Sequence, residues 1–118
     1  MSILANIAVG VVALLHVYFF VLEAFLWDKP FGMRIFRLTP EFAQATKALA
    51  ANQGVYNTFL AAGLAWGLML GTAGDPIKIF FLCCVIVAGA VGAATVNRRI
   101  LWVQALPALI ALGLVLAS

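Results

Sequence analysis

Apolar residues dominate four long stretches of the chain, and short polar segments separate them. The stretches cover residues 3–27, 46–71, 77–96 and 100–117. Each is about 18 or more residues long, which is enough for a helix to cross the hydrocarbon core of a bilayer. A membrane β-barrel would instead need shorter segments in which apolar and polar residues alternate. The pattern therefore predicts an all-α, polytopic membrane protein, a single four-transmembrane-helix bundle over residues 1–118.

Composition and charge agree with this prediction. Of the 118 residues, 66% are hydrophobic and only 9% are charged. A soluble domain of this length could not bury so much apolar surface in one core. The net charge of +3 comes from the loops and does not indicate a nucleic-acid partner. The start MSILANIAVG lacks a basic region, so we expect no cleavable signal peptide, and the first span should remain in the protein.

The basic residues predict the orientation of the bundle. Six of the seven lie in the loops after the first and third spans: Lys29, Arg34, Arg37, Lys47, Arg98 and Arg99. The loop between the second and third spans carries Lys78 alone. Loops rich in Lys and Arg stay in the cytoplasm. We therefore expect a multi-pass protein of the cell inner (plasma) membrane with both termini outside.

The first loop contains a helix start. In LTPEF, Thr39 can cap, Pro40 suits the first helical position, and Glu41 favours the positive end of the helix dipole. The second long helix should therefore begin near Pro40, well before it enters the bilayer.

The segment before that helix start combines aromatic and basic residues. Phe31, Arg34, Phe36 and Arg37 are typical of an interfacial segment, with rings in the headgroup layer and guanidinium groups near phosphates. The alternative is an ordinary cytoplasmic loop.

Polar and aromatic side chains near the cytoplasmic ends of the spans form the candidate ligand-binding site. They are His16, Glu23, Trp27, Asn52, Gln53, Tyr56, Asn57 and Gln104. Helical rise places them in the cytoplasmic half of the bilayer or at its inner boundary, together with Thr95. The outer half is almost bare of polar side chains apart from its loop. We expect the group to form one network, or to line one pocket open to the cytoplasm or the inner leaflet.

Two members of this group have simpler interpretations. His16 and Glu23 are seven residues apart, so they lie on nearly the same face of the first helix. Glu23 could reach the cytoplasm or pair with Arg98 or Arg99. His16 could be a neutral imidazole that makes a hydrogen bond between helices.

Glycines in the second span predict close helix packing. Gly63, Gly67 and Gly71 recur every four residues, a spacing that lets helix backbones approach each other. We expect the small residues of segment 88–93 on the third helix to form the partner face. A seam between two copies in a parallel homodimer is the alternative.

The two cysteines, Cys83 and Cys84, are adjacent in the middle of a span. We interpret them as small apolar packing residues. Because no second cluster of soft ligands exists, we expect no metal site, and nothing in the sequence indicates a cofactor.

Two stretches carry a family resemblance. LTPEFAQATKALAANQGVYNTFLAAGLAWG, with HVYFFVLEAFLW upstream, resembles domain-of-unknown-function family 1304 (DUF1304), small four-span bacterial integral membrane proteins. The block NQGVYN and the spacing from His16 to Glu23 are the specific parts of the resemblance. It implies a polytopic inner-membrane protein and supplies no catalytic residues.

The sequence favours one function and leaves others open. The favoured hypothesis is binding of a membrane lipid or another lipophilic or amphiphilic small molecule in a polar pocket in the cytoplasmic half of the bilayer. The alternatives are a four-span drug or metabolite efflux carrier, a membrane enzyme of isomerase type, and a structural accessory protein whose polar cluster only joins helices. Whether the protein is an enzyme stays open, and no catalytic residue is assigned.

Overall fold

The computed structural model describes residues 2–118 and is all-α, as predicted. Its helices are α1 (Ile3–Ala24), α2 (Pro30–Phe36), α3 (Pro40–Met69), α4 (Asp75–Thr95) and α5 (Leu106–Ala117). A 3₁₀ turn, Gly71–Gly74, leads into α4, and a π-helical turn, Leu101–Ala105, leads into α5. Helix α2 lies in what the hydropathy pattern assigned to a loop.

Two helical segments are long and apolar enough to cross a membrane. They are Ile3–Ala24 and Gly71–Thr95, and only 22% of the most apolar window of each is buried. The core helix of a soluble protein would be mostly buried, so these helices differ from that case. The apolar segment Leu101–Ala117 is shorter. By length and composition, two of the four predicted spans are therefore candidates for membrane crossing.

The chain forms two compact units. The terminal unit comprises the residues up to Leu15 together with Leu60–Ser118, and the central unit comprises His16–Phe59.

The core of the terminal unit consists of aliphatic side chains. Its buried members are Ala5, Val9, Val12, Leu64, Leu82, Val85, Ala108, Ala111 and Val115. They come from α1, α3, α4 and α5, and the small alanines of α5 leave room for the larger residues opposite. Four helices thus share one apolar core, while many large apolar side chains on their other faces stay exposed.

Gly63 and Gly67 of α3 pack against the first half of α4. A Cβ atom at Gly63 would overlap the Phe81 ring, and one at Gly67 would lie 2.7 Å from Lys78 Cγ. Our expectation that segment 88–93 forms the partner face was wrong. Because a short turn joins α3 to α4, the end of α3 lies beside the start of α4 and not beside its far end.

Segment 88–93 packs elsewhere. A Cβ atom at Gly89 would lie 2.8 Å from the Ala105 backbone nitrogen, and one at Gly92 would lie 3.1 Å from Ile100 Cγ2. The small residues near the end of α4 thus admit the chain segment that leads into α5.

The π-helical turn before α5 has a local cause. Pro107 has no backbone N–H, and its ring would clash with the carbonyl group four residues earlier in a regular α-helix. The Leu106 N–H donates instead to the Leu101 carbonyl oxygen, five residues back. The turn accommodates one extra residue and allows α5 to continue beyond the proline.

In the central unit, α2 packs tightly against the end of α1. The Lys29 N–H donates to the Leu26 carbonyl oxygen at 3.1 Å, which reverses the chain after α1. Gly32 then lies directly over that carbonyl group, because a Cβ atom there would be 1.8 Å from the oxygen. Only glycine fits this position without a shift of the backbone.

Helix α2 ends and α3 begins with well-formed caps. Arg37 adopts a left-handed conformation, with φ at 56°, and the Leu38 N–H donates to the Met33 carbonyl oxygen at 2.8 Å. Helix α3 begins at Pro40, and the Phe42 N–H donates to Thr39 Oγ1 at 3.2 Å. The helix start predicted from LTPEF is therefore confirmed.

We predict that Gly32→Ala destabilises the protein by about 1–3 kcal/mol or prevents folding, because the methyl group meets a backbone carbonyl that cannot rotate away. Gly113→Ala is the control, since nothing lies within 4 Å of its Cβ position and alanine favours a helix. Thermal unfolding in detergent measures both variants. Equal midpoints would contradict the close contact between α2 and α1.

Candidate functional site

A carboxylate–amide pair joins α1 to α3 in the central unit. Asn57 Nδ2 donates a hydrogen bond to Glu23 Oε1. Asn57 is 7% exposed, and Glu23 is half-buried. Both residues were singled out in the sequence, and the structure brings them into direct contact.

Gly54 explains why this pair can form. It lies one turn before Asn57, and a Cβ atom there would be 3.3 Å from both Glu23 Cβ and the Phe20 carbonyl oxygen. The absence of a side chain lets the two helices approach closely. The short Asn57 side chain can therefore reach across to the carboxylate.

The other polar residues of the NQGVYN block face outward. Asn52, Gln53 and Tyr56 are exposed, and the Tyr56 ring packs edge-on against Phe59 at 5.7 Å. Gly54 and Asn57 are buried on the opposite side of the same helix turns. The block therefore presents two polar surfaces, and only one of them contacts α1.

His16 is fully buried. Its ring packs edge-on against Phe19 at a centroid distance of 5.2 Å. The His16 imidazole is therefore a buried polar group on α1, two turns before Glu23.

Trp27 connects the end of α1 to α2 and α3. Its indole Nε1–H donates to Thr46 Oγ1 at 3.0 Å, and the Thr46 hydroxyl donates to the Phe42 carbonyl oxygen at 2.7 Å. The Trp27 ring lies 4.8 Å from that of Phe36. Trp27 therefore fixes the positions of three helices.

An ion pair lies beside Trp27. Lys47 Nζ is 3.0 Å from Asp28 Oδ2. The hydrogen bond from Lys47, with the nearby charges of Lys47 and Lys29, lowers the pKa of Asp28 below its ordinary value. Lys47 was assigned to a loop from hydropathy, but it lies on α3 because that helix begins seven residues earlier.

Two further residues of the sequence prediction lie in the terminal unit. Gln104 is half-buried in the π-helical turn. Thr95 is exposed, and its hydroxyl donates to the Val91 carbonyl oxygen of its own helix at 2.7 Å. A local bond of this kind places no constraint on a neighbouring helix.

Sequence reasoning missed a second polar cluster, at the start of α4. Lys78 is 1% exposed, and its Nζ lies 3.0 Å from Asp75 Oδ1, 3.3 Å from the Gly71 carbonyl oxygen and 3.5 Å from Asn6 Oδ1. We had assigned Lys78 to the loop between the second and third spans. The spacing of Asp75 and Lys78, one helical turn apart at the start of an apolar run, was the available signal.

The remaining features offer no further polar site. In residues 2–118, no three His, Cys, Asp or Glu side chains lie close enough to hold a metal ion. A shallow, open groove on α4 is lined by Phe80, Cys83, Cys84, Val87 and Ala88, and both cysteines are free. The groove is almost wholly apolar. Glu23 with Asn57 is therefore the candidate functional site.

The structure defines an all-α protein with two helices apolar enough to cross a membrane, and comparison with known proteins identifies its family. A family model described as "Protein of unknown function (DUF1304)" matches residues 10–116, and the chain belongs to this family. The chain is 30% identical over 114 residues to the uncharacterized protein YpaA of Lactococcus lactis subsp. lactis (strain IL1403), covering 95% of this chain and 96% of that protein. No solved structure matches.

We predict that Gly54→Leu destabilises the protein by about 1–3 kcal/mol, because the added side chain forces α1 and α3 apart at the Glu23–Asn57 pair. Gly10→Leu, also on a long helix, is the matched control, since nothing lies within 4 Å of its Cβ position. Thermal unfolding of both variants in detergent tests the difference. If Gly54→Leu has the same unfolding midpoint as the parent protein, the close approach of α1 and α3 at this position is contradicted.

Proposed function

We propose that this chain is a four-span protein of the inner membrane with both termini outside. The two long apolar helices support two spans. The apolar segment Leu101–Ala117 has about the minimum length for a third. Helix α3 has 30 residues, or about 45 Å at helical rise, so it can cross a core of about 30 Å and extend into the cytoplasmic interface.

Exposed side chains support a lipid environment. Leu14 is 70% exposed, Phe80 and Val87 are each 62% exposed, and Leu116 is 64% exposed. Apolar surface on this scale is rare on monomeric soluble proteins, whereas lipid chains would cover it. The burial of Lys78 against Asp75 also strengthens the charge asymmetry between the two sides, because it removes the one basic residue of the outer loop from the surface.

Within the bilayer, we infer that Glu23 and Asn57 form the polar end of a site for a lipophilic or amphiphilic small molecule. The observation that carries this proposal is that the Glu23 side chain has a hydrogen-bond partner but no cationic partner within the central unit. Asn57 gives Glu23 a hydrogen bond but no charge, and in the central unit the ion pair is formed by Asp28 and Lys47. A carboxylate in the membrane normally needs a cation or water as a partner.

The surroundings of Glu23 favour a ligand with a cationic head and an apolar tail. Phe20 lies one turn before Glu23 on α1, and Trp27 follows Glu23 by four residues, just past the end of that helix. Aromatic rings beside a carboxylate attract ammonium groups. Asn52, Gln53 and Tyr56 lie on the other face of α3, and we leave them outside this proposed site.

We predict that dodecylammonium raises the thermal midpoint of the purified protein, because a ligand that binds the folded state stabilises it. Neutral dodecanol and anionic dodecyl sulfate should raise it less. Glu23→Gln should remove the preference for the cation, since the amide retains the shape of the side chain and its bond to Asn57 but not the charge. Asp28→Asn is the control, and it should keep the preference because that acid already has a cation.

Two results would contradict the proposal. A response that is the same for all three head groups would show that only the alkyl chain is recognised. Loss of folding in Glu23→Gln, without any head-group preference in the parent protein, would show that the pair only joins the helices, as expected of a structural accessory protein.

A further inference from the structure

A group of exposed basic side chains lies on α2 and at its two capping positions, next to the end of α1. Lys29, Arg34 and Arg37 are all exposed. In the central unit the ion pair joins Lys47 to Asp28 and includes none of these three residues. The first acidic residue after this segment, Glu41, is exposed on the first turn of α3. The segment Lys29–Arg37 itself contains no acid, so its charge is wholly positive.

An aromatic ring accompanies these charges. Phe31 is 43% exposed, and the Arg34 guanidinium carbon lies 5.8 Å from the centre of its ring. An exposed aromatic ring beside a guanidinium group is suited to the boundary between acyl chains and phosphates. There the ring can contact the acyl chains while the guanidinium group contacts the anionic phosphates.

The helix that carries these residues is held in a fixed position. Gly32 lies against the Leu26 carbonyl group, and Phe36 packs on Trp27 at 4.8 Å. The left-handed cap at Arg37 ends the helix and redirects the chain toward α3. The three basic side chains therefore belong to a short helix and its two caps, and this helix packs against the end of α1.

We propose that α2 is a docking surface for anionic phospholipid headgroups of the inner leaflet. The guanidinium groups of Arg34 and Arg37 donate hydrogen bonds to phosphodiester oxygens, Lys29 adds charge, and Phe31 inserts among the upper acyl chains. This site lies outside the Glu23 site and would anchor the cytoplasmic side of the protein. It rests on the proposed membrane placement but does not depend on a ligand at Glu23.

Trp27 provides a direct probe, because its ring packs on α2. In a Trp66→Phe/Trp102→Phe background it is the sole tryptophan. The protein is placed in phosphatidylcholine nanodiscs that contain a minority of either brominated phosphatidylglycerol or brominated phosphatidylcholine, at equal mole fraction. Bromine quenches tryptophan fluorescence at short range, so the ratio of quenching reports the local enrichment of the anionic lipid.

We expect brominated phosphatidylglycerol to quench Trp27 more strongly than brominated phosphatidylcholine. The double variant Arg34→Gln/Arg37→Asn should lower the enrichment tenfold or more, because each basic group contributes about fivefold to binding at an anionic surface. Asparagine is chosen at position 37 because it tolerates the left-handed conformation. Arg98→Gln/Arg99→Gln removes the same charge elsewhere and should keep the enrichment.

Each other outcome contradicts a defined part of the proposal. Equal quenching by the two lipids, or enrichment that survives the Arg34→Gln/Arg37→Asn change, overturns the docking surface. Displacement of the lipid by excess inorganic phosphate overturns it in favour of a site for free phosphate. Absence of quenching by either lipid overturns the membrane placement itself. If the double variant does not fold, Arg34→Gln alone, at an exposed helical position, should lower the enrichment about fivefold.

Discussion

Buried polar groups need partners, and this requirement decides how the helices of this protein meet. In residues 2–118, no buried side-chain nitrogen or oxygen lacks a hydrogen-bond partner. The two units meet the requirement in different ways. In the terminal unit, buried Lys78 is neutralised by Asp75 one turn away and is also bonded to the chain at Gly71. In the central unit, Glu23 receives a hydrogen bond from Asn57 but no compensating charge. This difference is why we assign a structural role to the first cluster and a binding role to the second.

Glycine makes these polar contacts possible, because it brings helices close enough for short side chains to meet. Gly54 does this for Glu23 and Asn57, and Gly67 does it for the start of α4, where Lys78 is buried. Gly32 acts similarly between α2 and the end of α1. In each case the atom opposite the glycine belongs to the backbone or to the base of a side chain, so there is little freedom to adjust. The polar sites thus depend on positions that carry no functional group.

Local signals in the sequence predicted local structure well. The start of α3 followed from Thr39 and Pro40, and the long apolar runs gave α1 and α4. Glu23 and Asn57 were both found, but their pairing was not, because two faces of α3 are polar and only the packing at Gly54 decides which one meets α1.

Tertiary contacts account for the features that the sequence did not reveal. Helix α2 is only seven residues long and is stabilised by its contact with Leu26 and Trp27, so its own pattern was too short to identify it. Hydropathy placed Lys78 in the loop between the second and third spans, whereas the structure buries it with Asp75. In both cases the deciding partner comes from packing that hydropathy alone does not describe.

The central claim is that the Glu23 carboxylate binds a cationic amphiphile, and carboxyl ¹³C NMR tests it most directly. The chain contains two glutamates, Glu23 and Glu41, so labelling glutamate at the side-chain carboxyl carbon gives one site signal and one exposed reference. We expect dodecylammonium to shift the Glu23 signal saturably and to leave the Glu41 signal in place, whereas dodecanol should shift neither. Equal shifts at both glutamates, or no shift at Glu23, would contradict it.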